Sequence, residues 1–131
     1  MRWAAVTALA CAGLGACIAF ATDSAPATDP PPARLQVGAY EFRYALSRLR
    51  IKSGRAIVQL VNYGEDDHNL RLRRVGSDYT HRLRRTEPGE MSELRTRLRA
   101  GKFDLWCSLP GHAEAGMRAT LRVVKPPRNP S

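Results

Sequence analysis

The sequence is poor in the side chains that most catalytic and disulfide-built proteins rely on. Among 131 residues it has 3 Cys, 3 His and 3 Met. An odd and small cysteine count cannot build a disulfide framework. No long helical pattern and no internal repeat is present, and a many-helix enzyme is excluded. The 9 Pro and 10 Gly are too few and too scattered for a collagen-like or mostly disordered chain. The length leaves room for one small domain and excludes a multidomain receptor.

One sign of charge is abundant. Lys and Arg number 21 against 12 Asp and Glu, for a net charge of +9. Arginine supplies nearly all of the cations. The runs Arg71-Leu-Arg73-Arg74 and Arg82-Leu-Arg84-Arg85 lack aromatic interleaving, and Arg95, Arg97 and Arg99 alternate along one strand face. A solvated basic surface is expected there, not a nucleic-acid patch. Such a field speeds encounter with acidic partners.

The N-terminus reads as an export signal. Arg2 precedes an apolar stretch that ends in Ala19-Phe20-Ala21, an A-x-A cleavage pattern. A second processing route competes: Leu14-Gly15-Ala16-Cys17 looks like a lipobox, in which Cys17 would carry a membrane tether. Cys11 lies in the removed segment under both routes, and Cys17 is removed or lipidated. The exported chain then keeps one free thiol, Cys107, in an oxidising compartment. A lone thiol there is a liability unless something occupies it.

Residues 22–33, TDSAPATDPPPA, form a Pro/Ala-rich linker, and 125–131 form a Pro-rich tail. The domain is expected over 34–124. Within it the apolar period is two: Leu49 and Ile51; Leu94, Thr96 and Leu98; Phe103, Leu105 and Cys107; Leu121 and Val123. Ala56 to Val61 is a more continuous apolar run, as a central strand requires. Ser53-Gly54, Asn62-Tyr63-Gly64, Pro88-Gly89 and Ala100-Gly101 separate the strands. The expected fold is all-β: a single antiparallel sandwich of about seven to eight strands, with residues 76–88 as a loop or short helical turn.

The chemistry concentrates in Cys107-Ser-Leu-Pro-Gly-His112-Ala-Glu-Ala-Gly-Met117, a C-x4-H-x4-M segment after a strand, together with His68-Asn69 upstream. Singly, each side chain reads as core or loop filler. Jointly they offer a thiolate, two imidazoles and a thioether. A His2Cys set with a weak axial Met is a blue-copper electron-transfer pattern. Zinc is the metal alternative, but methionine is a poor zinc ligand and no acid is placed as a base. A binuclear copper centre needs a second loop cysteine. Cysteine nucleophile chemistry leaves Met117 and His68-Asn69 without a purpose. His81 has no ligand context and is expected in a surface or loop role.

At these residues the sequence resembles the cupredoxins, the plastocyanin/azurin group of small blue copper proteins. The resemblance spans 34–124. It takes in the Asn-x-Gly…His-Asn turn at 62–69, Ala-Gly-x-Phe at 100–103, the loop 107–117 and the Gly-Met-x-x-x-Leu-x-Val exit at 116–123. It implies a Greek-key β-sandwich with one type 1 copper ion shuttling single electrons. His68, Cys107 and His112 would be the equatorial ligands and Met117 the axial one. Asn69 would tie the two ligand-bearing loops together, its N–H reaching the Cys107 sulfur. His112 would reach the surface through an apolar ring of Leu109, Pro110, Ala113 and Ala115. Trp106 would offer a second electron path on the opposite face.

The function implied is a monomeric, non-enzymatic electron carrier on the periplasmic or extracellular side of a bacterial membrane, its redox partners bearing acidic docking surfaces. The alternative is a protein that sequesters or delivers copper, against which the lack of Met-rich and His-rich tracts argues. An oxidase or reductase would need a second copper site and more than three histidines.

Overall fold

A computed structural model describes residues 25–128, residue 27 excepted. The export signal, Cys11 and Cys17 lie outside these residues. None of the described residues is helical. Nine strands run in chain order: β1 (Ala33–Tyr40), β2 (Arg43–Leu46), β3 (Arg50–Lys52), β4 (Gly54–Asn62), β5 (His68–Arg74), β6 (Thr80–Thr86), β7 (Met91–Leu98), β8 (Gly101–Trp106) and β9 (Arg118–Val124). They form two sheets, ordered β2-β1-β4-β7 and β3-β9-β8-β5-β6.

The period-two pattern explains the core. Leu35, Val37 and Ala39 of β1, Leu70 and Leu72 of β5, Phe103 and Leu105 of β8, and Leu121 and Val123 of β9 all point between the sheets and are buried. Ala56, Ile57 and Val58 of β4 are buried in succession, as the continuous run requires of an inner strand.

Four expectations are corrected. The sheets are mixed, not antiparallel: β1 pairs β4 in parallel, and β3 pairs β9 in parallel. After β2 the chain crosses to the second sheet for β3 and returns as β4, so β4 runs in the direction of β1. There are nine strands because two short edge strands, β2 and β3, join the longer ones. Leu49 is 72% exposed, since β3 starts one residue after it and only Ile51 turns inward. Residues 80–86 form a strand rather than a loop or helical turn: β6 pairs antiparallel with β5, and alternation survives in Leu83 and Thr86 although arginines fill the outward positions.

The connections β1–β2, β4–β5, β6–β7 and β8–β9 all fall at one end of the sandwich. The registers require it: Ala39 lies beside Asn62, Val61 beside Met91, His68 beside Thr86, and Trp106 beside Arg118. That end carries the Cys-His-Met segment.

Candidate metal centre

Strand parity aims two of the expected ligands inward. His68 shares a face of β5 with Leu70 and Leu72. Cys107 follows β8 in phase with Phe103 and Leu105. Both are fully buried, at 0% exposure. The segment after Cys107 then folds back on itself. His112 N–H donates to the Leu109 carbonyl, Met117 N–H to the His112 carbonyl at 3.0 Å, and Cys107 N–H to the Met117 carbonyl at 3.2 Å. Gly111 and Gly116 hold positive φ of 79° and 113°, which a side chain would strain. The turn therefore needs its glycines to bring His112 back over Cys107.

The result is a compact donor set. His68 Nδ1 faces His112 Nδ1 at 3.2 Å, and Cys107 Sγ lies 3.6 Å from the same His112 nitrogen. The three donor atoms all fall within 4.8 Å of one another. Met117 is buried in the core beside them, its backbone bonded across to Cys107. One thiolate and two imidazoles converging on one point fit a single type 1 copper ion, and a methionine in the same loop suits that soft ion better than zinc.

Asn69 is 4% exposed and bridges the two ligand-bearing segments. Its Nδ2 donates to Ser108 Oγ at 2.9 Å, and its Oδ1 accepts from Ser108 N–H at 2.8 Å. Trp106 is half-buried on the outward face of β8, flanked in register by Arg71 and Arg118. The Arg73 guanidinium stands 5.4 Å above its ring.

Sequence reasoning missed four residues here. Glu41, in the β1–β2 turn, accepts from His68 Nε2 at 3.0 Å and from the Glu65 and Asp66 amides at 2.8 Å each. The Asp66 amide first, then His68 and the Glu65 amide, hold its carboxyl down at about 2. Tyr44 of β2 donates its hydroxyl to the Asn69 carbonyl. Burial and the adjacent Cys107 push its phenol above the usual range. Asn62 is fully buried and organises the β4–β5 loop: Nδ2 donates to the Asp66 and Thr86 carbonyls, while Oδ1 accepts from Gly64 N–H. Phe42 packs edge-on against His112, centroids 4.8 Å apart. An Asn-x-Gly turn is a readable signal for Asn62. Nothing local marks the other three, because their partners lie about 25 residues or more away.

Two expectations about histidine surroundings change. The ring around His112 is not wholly apolar. Leu109 and Pro110 line the same depression as Glu65, Asp66, Asp67 and Arg85, while Ala113 is buried. His81 lies in a strand, β6, not in a loop. Its Nδ1 meets Thr96 Oγ1 of β7 at 3.1 Å, linking the edges of the two sheets.

No family model and no curated sequence matches the chain. Solved structures do. Auracyanin from the photosynthetic bacterium Roseiflexus castenholzii is 14% identical, with a TM-score of 0.55 over 70% of this chain and 96% of that one. Auracyanin A, a "blue" copper protein from the green thermophilic photosynthetic bacterium Chloroflexus aurantiacus, is 15% identical, with a TM-score of 0.57 over 71% and 99%. A reduced Cu(I) form of an amicyanin variant is 21% identical, with a TM-score of 0.53 over 69% and 81%. At these identities the likeness shows the fold, and that fold is the cupredoxin sandwich.

Proposed function

We propose that this chain, a cupredoxin by fold, is an exported single-electron carrier, with His68, Cys107 and His112 holding one copper ion and Met117 completing the set as a weak axial ligand. The convergence of one thiolate and two imidazoles within 4.8 Å at the end of the core carries this reading. Copper, when bound, supplies the one-electron Cu(II)/Cu(I) couple.

The chain's own residues supply the rest. Two inward-facing backbone positions and a hydrogen-bonded loop fix the donors, so they move little when charge changes. Asn69 locks the His68 and Cys107 segments to each other through Ser108. Cys107 is itself fully buried within the apolar core, which keeps water from its sulfur. His112 is half-buried and lines a surface depression with Leu109, Pro110, Glu65, Asp66, Asp67 and Arg85. The export signal read in residues 1–21 supports a periplasmic or extracellular carrier, tethered if Cys17 is lipidated.

Charge distribution refines the partner reading. The four connections at the His112 end contain Glu41, Glu65, Asp66, Asp67, Glu87, Glu90 and Glu114, seven of the 12 acids and none of the 21 Lys and Arg. The Trp106 face is mainly basic, with Arg71, Arg73 and Arg118 around the ring and Asp104 beside it. An acidic docking surface on a partner suits the Trp106 face, and a basic one suits the loop end.

The test is the visible and EPR spectrum of the protein with one equivalent of Cu(II), beside Cys107→Ala. We expect an intense thiolate-to-copper band and a small copper hyperfine splitting, both lost in the variant. A pale spectrum indifferent to Cys107 rejects the reading.

A further inference from the structure

Glu41 makes contacts that nothing in a generic surface turn requires. A single carboxylate oxygen, Oε1, receives two backbone amides and the Nε2–H of a fully buried histidine. The backbone is also shaped around it. A Cβ added at Gly64 would sit 2.1 Å from that oxygen, so any side chain there would push the carboxylate out of this position, while the φ of Gly64 is ordinary. The loop that delivers His68 is thus wrapped around a residue from a different hairpin.

The consequence for His68 is chemical. A neutral imidazole carries one proton, and a carboxylate can only accept. With Nε2–H donated to Glu41, the lone pair resides on Nδ1, the atom that faces His112 Nδ1 and the Cys107 sulfur. A carboxylate behind a ligating imidazole also raises its basicity and stabilises the higher charge on a bound ion.

We infer that Glu41 is a positioning residue that sets the His68 tautomer and ring orientation and biases the site toward the more oxidised metal. The tautomer half stands on the geometry alone. The bias rests on the copper reading above. Gly64 and the Glu65 and Asp66 amides are the frame that keeps the carboxylate in place.

The test compares wild type, Glu41→Gln and Glu41→Ala. Nitrogen-15 NMR of the metal-free protein at neutral pH reads the tautomer without copper. Wild type and Glu41→Gln, whose amide oxygen still accepts, should show His68 protonated at Nε2. Glu41→Ala should show a mixture. Titration with Zn(II) alone should weaken about 10–100-fold in Glu41→Ala, the range for such outer partners, and less in Glu41→Gln. In the copper form, Glu41→Gln should raise the reduction potential while keeping the thiolate band. An unchanged His68 tautomer and Zn(II) affinity in a folded Glu41→Ala protein overturns the positioning role. An unchanged potential in Glu41→Gln overturns the bias alone. Loss of the copper spectrum in wild type would reject the carrier reading and leave the tautomer result standing.

Discussion

At the scale of single residues, the site is held by side chains that do not themselves reach the donor point. Asn69 makes two hydrogen bonds to Ser108 from a nearly buried position. Both join segments 39 residues apart in sequence, so they act as a cross-tie and not as local turn chemistry. Asn69→Ala should destabilise the metal-free protein by about 1–3 kcal/mol, since two bonds are lost and a donor is left without its acceptor. Urea unfolding measures this, and a change below a few tenths of a kcal/mol would show that water replaces Ser108's partner at no cost. Cys107 itself is legible from sequence because it follows a period-two strand in phase and opens the Cys-x4-His-x4-Met segment. Glu41 and Tyr44 are not, because an acid or a phenol at a turn or edge strand has no local signature.

At the scale of elements, the arginine-rich strands show how pattern survives an unusual composition. β6 reads Thr-His-Arg-Leu-Arg-Arg-Thr, with only Leu83 as an apolar anchor and Thr86 buried beyond it. Its place in the sheet comes from pairing with β5, and His81 ties it across to Thr96 of β7. Burial lowers the pKa of His81 from its ordinary 6.5. The unfolded chain therefore takes up a proton first as pH falls, and stability present above about 6.5 is lost on the way down. The metal-free wild type should lose more unfolding free energy between pH 7.5 and 5.5 than His81→Gln does. Equal slopes for the two would place His81 in a solvent-like setting. The mixed sheets were illegible for a related reason. Alternation reports which face a residue takes but not strand direction, and direction here depends on the crossing through β3.

At the scale of the whole molecule, net charge and local charge disagree. The chain is +9 overall, yet the loop end bearing His112 gathers seven acids and no base in its connections. Arg85 pairs with Asp67 and Arg84 with Glu90 from the adjoining strand, which trims this field without reversing it. Electron exchange with a cationic complex such as hexaammineruthenium and an anionic one such as hexacyanoferrate should therefore slow in both cases as salt rises. Glu65→Gln with Asp66→Asn should slow only the cationic reagent. Trp106→Leu should slow only the anionic one. A rate with the cationic reagent that climbs with salt would show that the basic body governs approach from every side.

The sequence by itself determined the all-β class, the inward parity of His68 and Cys107, and the Cys-His-Met segment, because period-two alternation and residue chemistry are local properties. It also carried the acidic loops in plain view, though not their gathering at one end. Only the tertiary structure decided that gathering, the parallel pairing of β1 with β4, and the meeting of Glu41 with His68 across 27 residues. Each depends on which strand ends become neighbours, and long-range register, unlike alternation, is set by the packing of the two sheets as a whole.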